Sequence, residues 1–189
     1  MRLRLGLLLV VTLGVAPTAS HAQSPKRGWF LSVRAGLGLA RARCDSPCVP
    51  PRKHFGPEIT YALGHGVGDR ATIALTFFGF GAPAGKSSRE GWMISNGGFE
   101  VSARPTPANE TSASAILAIG QYERARLTKA SVATWGVRVA HDDPARQGFG
   151  AFVAAHGTLI GMAHAASVED AGRHIGAEGI SAGAMYTWR

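Results

Sequence analysis

The stretch Trp29-Phe30-Leu31-Ser32-Val33-Arg34-Ala35-Gly36-Leu37-Gly38-Leu39 places an apolar residue at every odd position and mostly small or polar residues between them. A period of two describes a strand whose two faces meet different surroundings. The alternation returns about eight times, each over roughly 9 to 11 residues, which is the length at which a tilted strand crosses a bilayer. The pattern predicts an all-β fold: an eight-stranded antiparallel up-and-down transmembrane β-barrel.

Upstream of this stretch, residues 1-22 read as a secretory signal peptide. Arg2 and Arg4 precede the apolar run Leu5 to Val15, and Ser20-His21-Ala22 offers a small-residue cleavage site before Gln23. The apolar run is shorter than the roughly 20 residues a membrane helix needs. Residues 23-189 are then expected to form one barrel domain. Of the 20 Lys and Arg residues only Arg2 and Arg4 precede Gln23, so 18 remain against 12 Asp and Glu and the mature chain stays basic. For an exported chain with no Lys/Arg cluster interleaved with aromatics, nucleic acid is not the expected counterpart. Outer-membrane lipid and the phosphates of lipopolysaccharide are.

Downstream, Ile59, Tyr61 and Leu63 mark a second strand, and Ala71, Ile73, Leu75 and Phe77 a third. In the fourth, Trp92 and Ile94 share one parity while Phe99, Val101 and Ala103 share the other. A one-residue bulge at Asn96-Gly97-Gly98 is expected to restore the register. Pro105 and Pro107 end that strand. Strands five to eight follow at Ala113 to Ile119, Ala133 to Val139, Phe149 to Ala155 and Ile180 to Trp188. The connections after strands one, three, five and seven read as long and the others as short. Among the long ones are a charged loop, Glu123 to Lys129, and a segment, Gly157 to Gly176, part of it open to helix. Long loops are expected outside and short turns in the periplasm, with both termini periplasmic.

A soluble barrel would show the same period with its apolar residues inside. Its exterior would be rich in Lys and Glu. Here the second face is mostly Gly, Ala, Ser and Thr, with Arg34, Glu58, Glu100 and Arg138 as its main charges, so the apolar face is assigned to lipid. Arg34, Glu100 and Arg138 then point into the lumen, where charges must pair to be tolerated, and an ion-pair network among them is expected. Trp29, Trp135, Tyr186 and Trp188 are expected in aromatic girdles at the membrane boundaries. Cys44 and Cys48 bracket Ser46-Pro47 in an exported loop and are expected to form a local disulfide. A metal site would need more ligands than nearby His54 supplies, so no metal and no cofactor are implied.

With its leader, the strand start Gly28-Trp29-Phe30-Leu31, alternating loop lengths and the closing Ala184-Met185-Tyr186-Thr187-Trp188, the chain resembles the small eight-stranded outer-membrane barrels of the OmpA/OmpX type. The resemblance covers residues 28 to 189 and is architectural. It implies a Gram-negative outer-membrane location, insertion by the barrel-assembly machinery, a monomer, and a non-enzymatic structural, envelope or surface-interaction role through the loops. Two alternatives stand beside it. One is a lipid A-modifying, deacylase-like enzyme built on His156 and Thr158 at the outer end of strand seven, with Glu169 or Glu178 orienting the histidine. The other is a narrow, porin-like pore or ligand-binding barrel.

Overall fold

Turn chemistry sets the ends of the strands. Gly68 adopts φ of +70° and Gly148 φ of +84°, left-handed conformations that cost a side-chain-bearing residue dearly. Asn109 accepts the Thr111 amide through its Oδ1 at 2.7 Å, a local Asx turn that launches the next strand after the two prolines. Between such turns the computed structural model describes residues 28–44, 53–82, 91–124, 128–143, 148–164 and 175–189. They form β1 (Trp29–Cys44), β2 (Lys53–Val67), β3 (Ala71–Ala82), β4 (Trp92–Ala103), β5 (Thr111–Arg124), β6 (Thr128–Asp142), β7 (Phe149–His164) and β8 (Ile175–Trp188).

Each strand pairs antiparallel with the next, and β1 pairs with β8 in the register Val33↔Tyr186 and Leu39↔Ile180, which closes the barrel. Closure removes every free sheet edge, a requirement for strands in a bilayer core. The two faces separate as the period demands. Leu37, Tyr61, Phe77, Phe99, Leu117 and Val153 point away from the barrel and are more than half exposed, whereas Ser32, Arg34, Thr60, Thr76 and Glu100 on the other parity are buried.

On β1 the outward apolar run from Trp29 to Leu39 spans about 25 Å along the barrel axis once a tilt of roughly 40° is allowed for, the height of a membrane belt. Outward polar residues take over beyond it: Arg41 beside Glu178 across the β1–β8 ladder, and Ser95, Gln121 and Ser131 in one row across β4, β5 and β6. We call this the loop end, and the end carrying Gly68 and Gly148 the turn end.

Several strand boundaries differ from the sequence reading. No bulge interrupts β4: Phe78↔Asn96, Phe77↔Gly97 and Thr76↔Gly98 run in unbroken register. The parity does not slip: Trp92 and Ile94 share the inward face of Asn96 and Glu100 and are buried inside the barrel. The register shift falls instead between β6 and β7, where Ala133 pairs with Ile160 and Thr134 with Thr158, leaving Leu159 as the extra residue. The charged loop expected at Glu123 to Lys129 is mostly strand, because β5 continues to Arg124 and β6 starts at Thr128. Much of the expected Gly157 to Gly176 segment is strand as well, since β7 reaches His164 and β8 begins at Ile175. Its remainder, with Glu169, lies outside the described residues. So do the leader, Cys48 and the side chain of Cys44, and with them the expected disulfide.

Candidate functional site

The inward parity brings one layer of charge together across the middle of the barrel. Arg34 on β1, Glu100 on β4 and Arg138 on β6 sit on three strands distant in sequence, yet strand tilt and register set them at one level. Arg34 Nη1 donates to Glu100 Oε2 at 2.6 Å, and Arg138 Nη1 donates to the same oxygen at 2.9 Å. Arg138 is 1% exposed and Glu100 likewise 1%, so neither charge has water to fall back on.

A second carboxylate, Glu58 on β2, extends the layer toward the loop end. Arg138 Nη2 lies 3.4 Å from Glu58 Oε1 and donates to Thr60 Oγ1 at 3.3 Å. Glu58 Oε2 also receives Ser181 Oγ and lies 3.0 Å from His156 Nε2. Two guanidiniums and two carboxylates thus neutralise one another, with Arg138 also seated 5.4 Å over the Phe152 ring. Sequence reading placed Glu58 on this face without adding it to the network, and it put His156 at the rim. Parity identifies both, since Glu58 alternates with Thr60 and Ala62, and His156 with Ala154 and Phe152.

Above the charges the lumen turns apolar. His156 stacks on Phe78 and Phe80 with centroids 5.1 and 5.4 Å away, Phe80 meets the edge of Trp92 at 6.0 Å, and Trp92 stacks on Tyr122 at 5.9 Å. Ile94, Ile116 and Val132 fill the gaps between the rings. Gly136 makes room for the imidazole: a Cβ there would come 2.7 Å from His156 Nδ1.

Below the charges the barrel opens into a cavity of about 60 Å³ lined by Arg34, Ser102, Ser114, Arg104, Asp142 and Thr187, space for a few waters. Arg104 and Arg189 both reach Asp142 Oδ2 there, at 3.1 and 3.2 Å. Burial at this mouth lowers the Arg104 guanidinium from its ordinary value, against the pull of Asp142.

Of the deacylase-like alternative, the described residues His156, Thr158 and Glu178 do not assemble. His156 and Thr158 face inward, while Glu178 shares the outward parity of Ile180 and Ala182. His156 has its carboxylate, Glu58, on Nε2, so Nδ1 would have to serve as the base, and among the described residues Nδ1 has no hydrogen-bond partner. Thr158 Oγ1 is occupied as the acceptor for the Ala177 amide at 3.0 Å, replacing a ladder bond where the β7–β8 register ends. Ser181 shares the histidine's carboxylate and does not reach its ring, which is not the nucleophile, base and orienter order.

Three of the four expected girdle residues gather at the turn end. Phe149, Tyr186 and Trp188 form an outward chain at the turn end with centroids 4.7 and 4.5 Å apart, and Trp29 abuts His65 at 5.3 Å on the same rim. Trp135 stands apart at the midpoint of β6, over Gly157, where a Cβ would strike its ring, and so lies away from the boundary girdle expected for it.

No family model matches the sequence, and no curated protein sequence matches it either. Solved structures do. Neisserial surface protein A superposes with a TM-score of 0.55 at 11% identity, covering 82% of this chain and 96% of that one. The attachment invasion locus protein Ail of Yersinia pestis gives a TM-score of 0.52, also at 11% identity, covering 83% of this chain and 98% of that one. The chain therefore has the fold of the small eight-stranded outer-membrane barrels, built from a sequence far from theirs.

Proposed function

We propose that this chain is a non-enzymatic barrel of the bacterial outer membrane, exported behind a leader cleaved near residue 22 and inserted as a monomer by the barrel-assembly machinery. Its lumen is a structural plug, and its loop end serves the envelope or surface interactions. The observation that carries this reading is the filled interior. A balanced layer of Arg34, Glu100, Arg138 and Glu58 lies under a packed layer of Phe78, Phe80, Trp92 and Tyr122, and among the described residues His156 has no hydroxyl nucleophile on its free nitrogen. The basic balance of the chain suits the phosphates of lipopolysaccharide as its lipid neighbour. A surface role is in keeping with the fold it shares with an attachment invasion locus protein.

Single-channel recording in planar bilayers tests the plug. The purified barrel is expected to show no steady conductance. A steady conductance that disappears in Arg138→Ala would instead mean that the charge layer lines a pore.

A further inference from the structure

The ion-pair layer across the middle of the barrel is neutral, but the cavity at the turn end beneath it is not. Its described wall carries the guanidiniums of Arg34, Arg70, Arg104 and Arg189 against the carboxylates of Asp69 and Asp142. With Arg34 counted in the layer above, where it pairs with Glu100, three cations still face two carboxylates. Glu110, a further carboxylate that acts on Arg104, is not on the wall. One oxygen serves two of the cations, because Arg104 Nη2 and Arg189 Nη2 both reach Asp142 Oδ2, at 3.1 and 3.2 Å. A single carboxylate oxygen leaves most of two donor forks unused.

The turns hold these residues in place. The Arg104 amide donates to the Arg70 carbonyl at 2.8 Å, tying the β2–β3 turn to the β4–β5 turn, and the Asp142 amide donates to the Glu110 carbonyl at 3.0 Å. From the lumen side Arg34 closes the cavity. It is only 7% exposed, its Nη1 goes to Glu100, and neither Nε nor Nη2 meets an acceptor among the described residues. Thr72 and Ser112 add hydroxyls to the same wall. Burial lowers the Arg104 guanidinium from its ordinary value, Asp142 opposes this, and Arg189 adds to it. An anion between them would favour the charged form of Arg104 and give the idle donors of Arg34 an acceptor.

We propose that the turn-end cavity is an oxyanion site that takes a phosphate group, held by Arg34, Arg70 and Arg104 with the hydroxyls of Thr72 and Ser112. Its free space of about 60 Å³ corresponds to about four water-sized spheres, room for one tetrahedral oxyanion. A metal cation does not suit it, since Asp142 Oδ2 is already covered by two guanidiniums. Two sources supply a phosphate at this level. One is a soluble phosphate, and the other is a phospholipid headgroup, because the outward chain of Phe149, Tyr186 and Trp188 marks headgroup depth at the same end.

Calorimetric titration of inorganic phosphate into the refolded barrel in dodecyl maltoside micelles, at an ionic strength held constant with chloride, tests the site. Each variant is first checked for the gel shift of a folded barrel. The parent is expected to bind phosphate saturably. Arg104→Gln is expected to weaken that binding about tenfold or more, the loss of one charge-assisted contact, and Arg70→Gln serves if Arg104→Gln does not refold. Ser112→Leu, which fills the cavity without removing a charge, is expected to abolish binding, whereas Arg41→Gln at the loop end is expected to leave it unchanged. Phosphatidylglycerol added to the micelles separates the sources: competition assigns the site to a headgroup, and lack of competition assigns it to a soluble phosphate. No saturable phosphate binding, binding that survives in Ser112→Leu, or an equal loss in Arg41→Gln and Arg104→Gln would overturn the proposal.

Discussion

Arg138→Met is expected to destabilise the barrel by about 3–5 kcal/mol, the cost of leaving buried charge without its partner. Arg138 is the hub of the lumen: among the described residues it is the one cation that touches both Glu100 and Glu58, at 2.9 and 3.4 Å. Methionine matches much of its length but supplies no donor. Glu100 keeps Arg34, whereas Glu58 keeps only Ser181, His156 and Thr60. Adding Glu58→Gln to Arg138→Met removes the orphaned charge, so the double variant is expected to be more stable than Arg138→Met alone. The two effects should be strongly non-additive. Urea titration of the barrel in lipid vesicles, followed by tryptophan emission, measures both. A single-variant loss below about 1 kcal/mol, the size of a solvated surface pair, would mean that water reaches the layer.

Leu75→Arg is expected to cost about 2–4 kcal/mol in a bilayer, the penalty of a cation on the lipid face at mid-depth. Leu75 stands at the centre of β3 between Leu63 and Phe99, and 47% of it is uncovered by protein. In a soluble barrel so exposed a position would take arginine within about 0.5 kcal/mol. Ala103→Arg, on the same face at the turn end, serves as the internal scale, since the penalty falls to about 0–1 kcal/mol near the interface. Equal costs at the two positions in the same unfolding titration would remove the depth dependence that a membrane imposes.

Much of this architecture is legible in the sequence because the period of two is a property of the strand itself. Eight strands, their order and their two faces follow from it, and so does the shared inward parity of Arg34, Glu100 and Arg138. What parity does not carry is depth. That the three meet at one level depends on the register accumulated from strand to strand, which only the paired structure contains.

The misread bulge at Asn96 has a related cause. Assigning every apolar residue to lipid fails where the lumen has an apolar layer of its own, so Trp92 and Ile94 looked like a slip when they were in phase. His156 was placed at the rim because Gly157 resembles a strand end. In fact Gly157 accommodates the Trp135 ring within a strand that continues to His164. The length of the β5–β6 connection was misjudged because Glu123 and Lys129 look like loop residues, yet they face each other as Cα partners at the level where the apolar belt gives way to polar residues.

The assignment of the apolar face to lipid underlies the whole account, and spin-label accessibility along β3 tests it most directly. Nitroxides attached at cysteines introduced one at a time from Ile73 to Phe78 are exposed to oxygen, which concentrates in lipid, and to a water-soluble nickel chelate. Positions 73, 75 and 77 are expected to collide with oxygen and not with nickel, and positions 74, 76 and 78 with neither. Nickel access at 73, 75 and 77 would place the apolar face in water and contradict the membrane barrel.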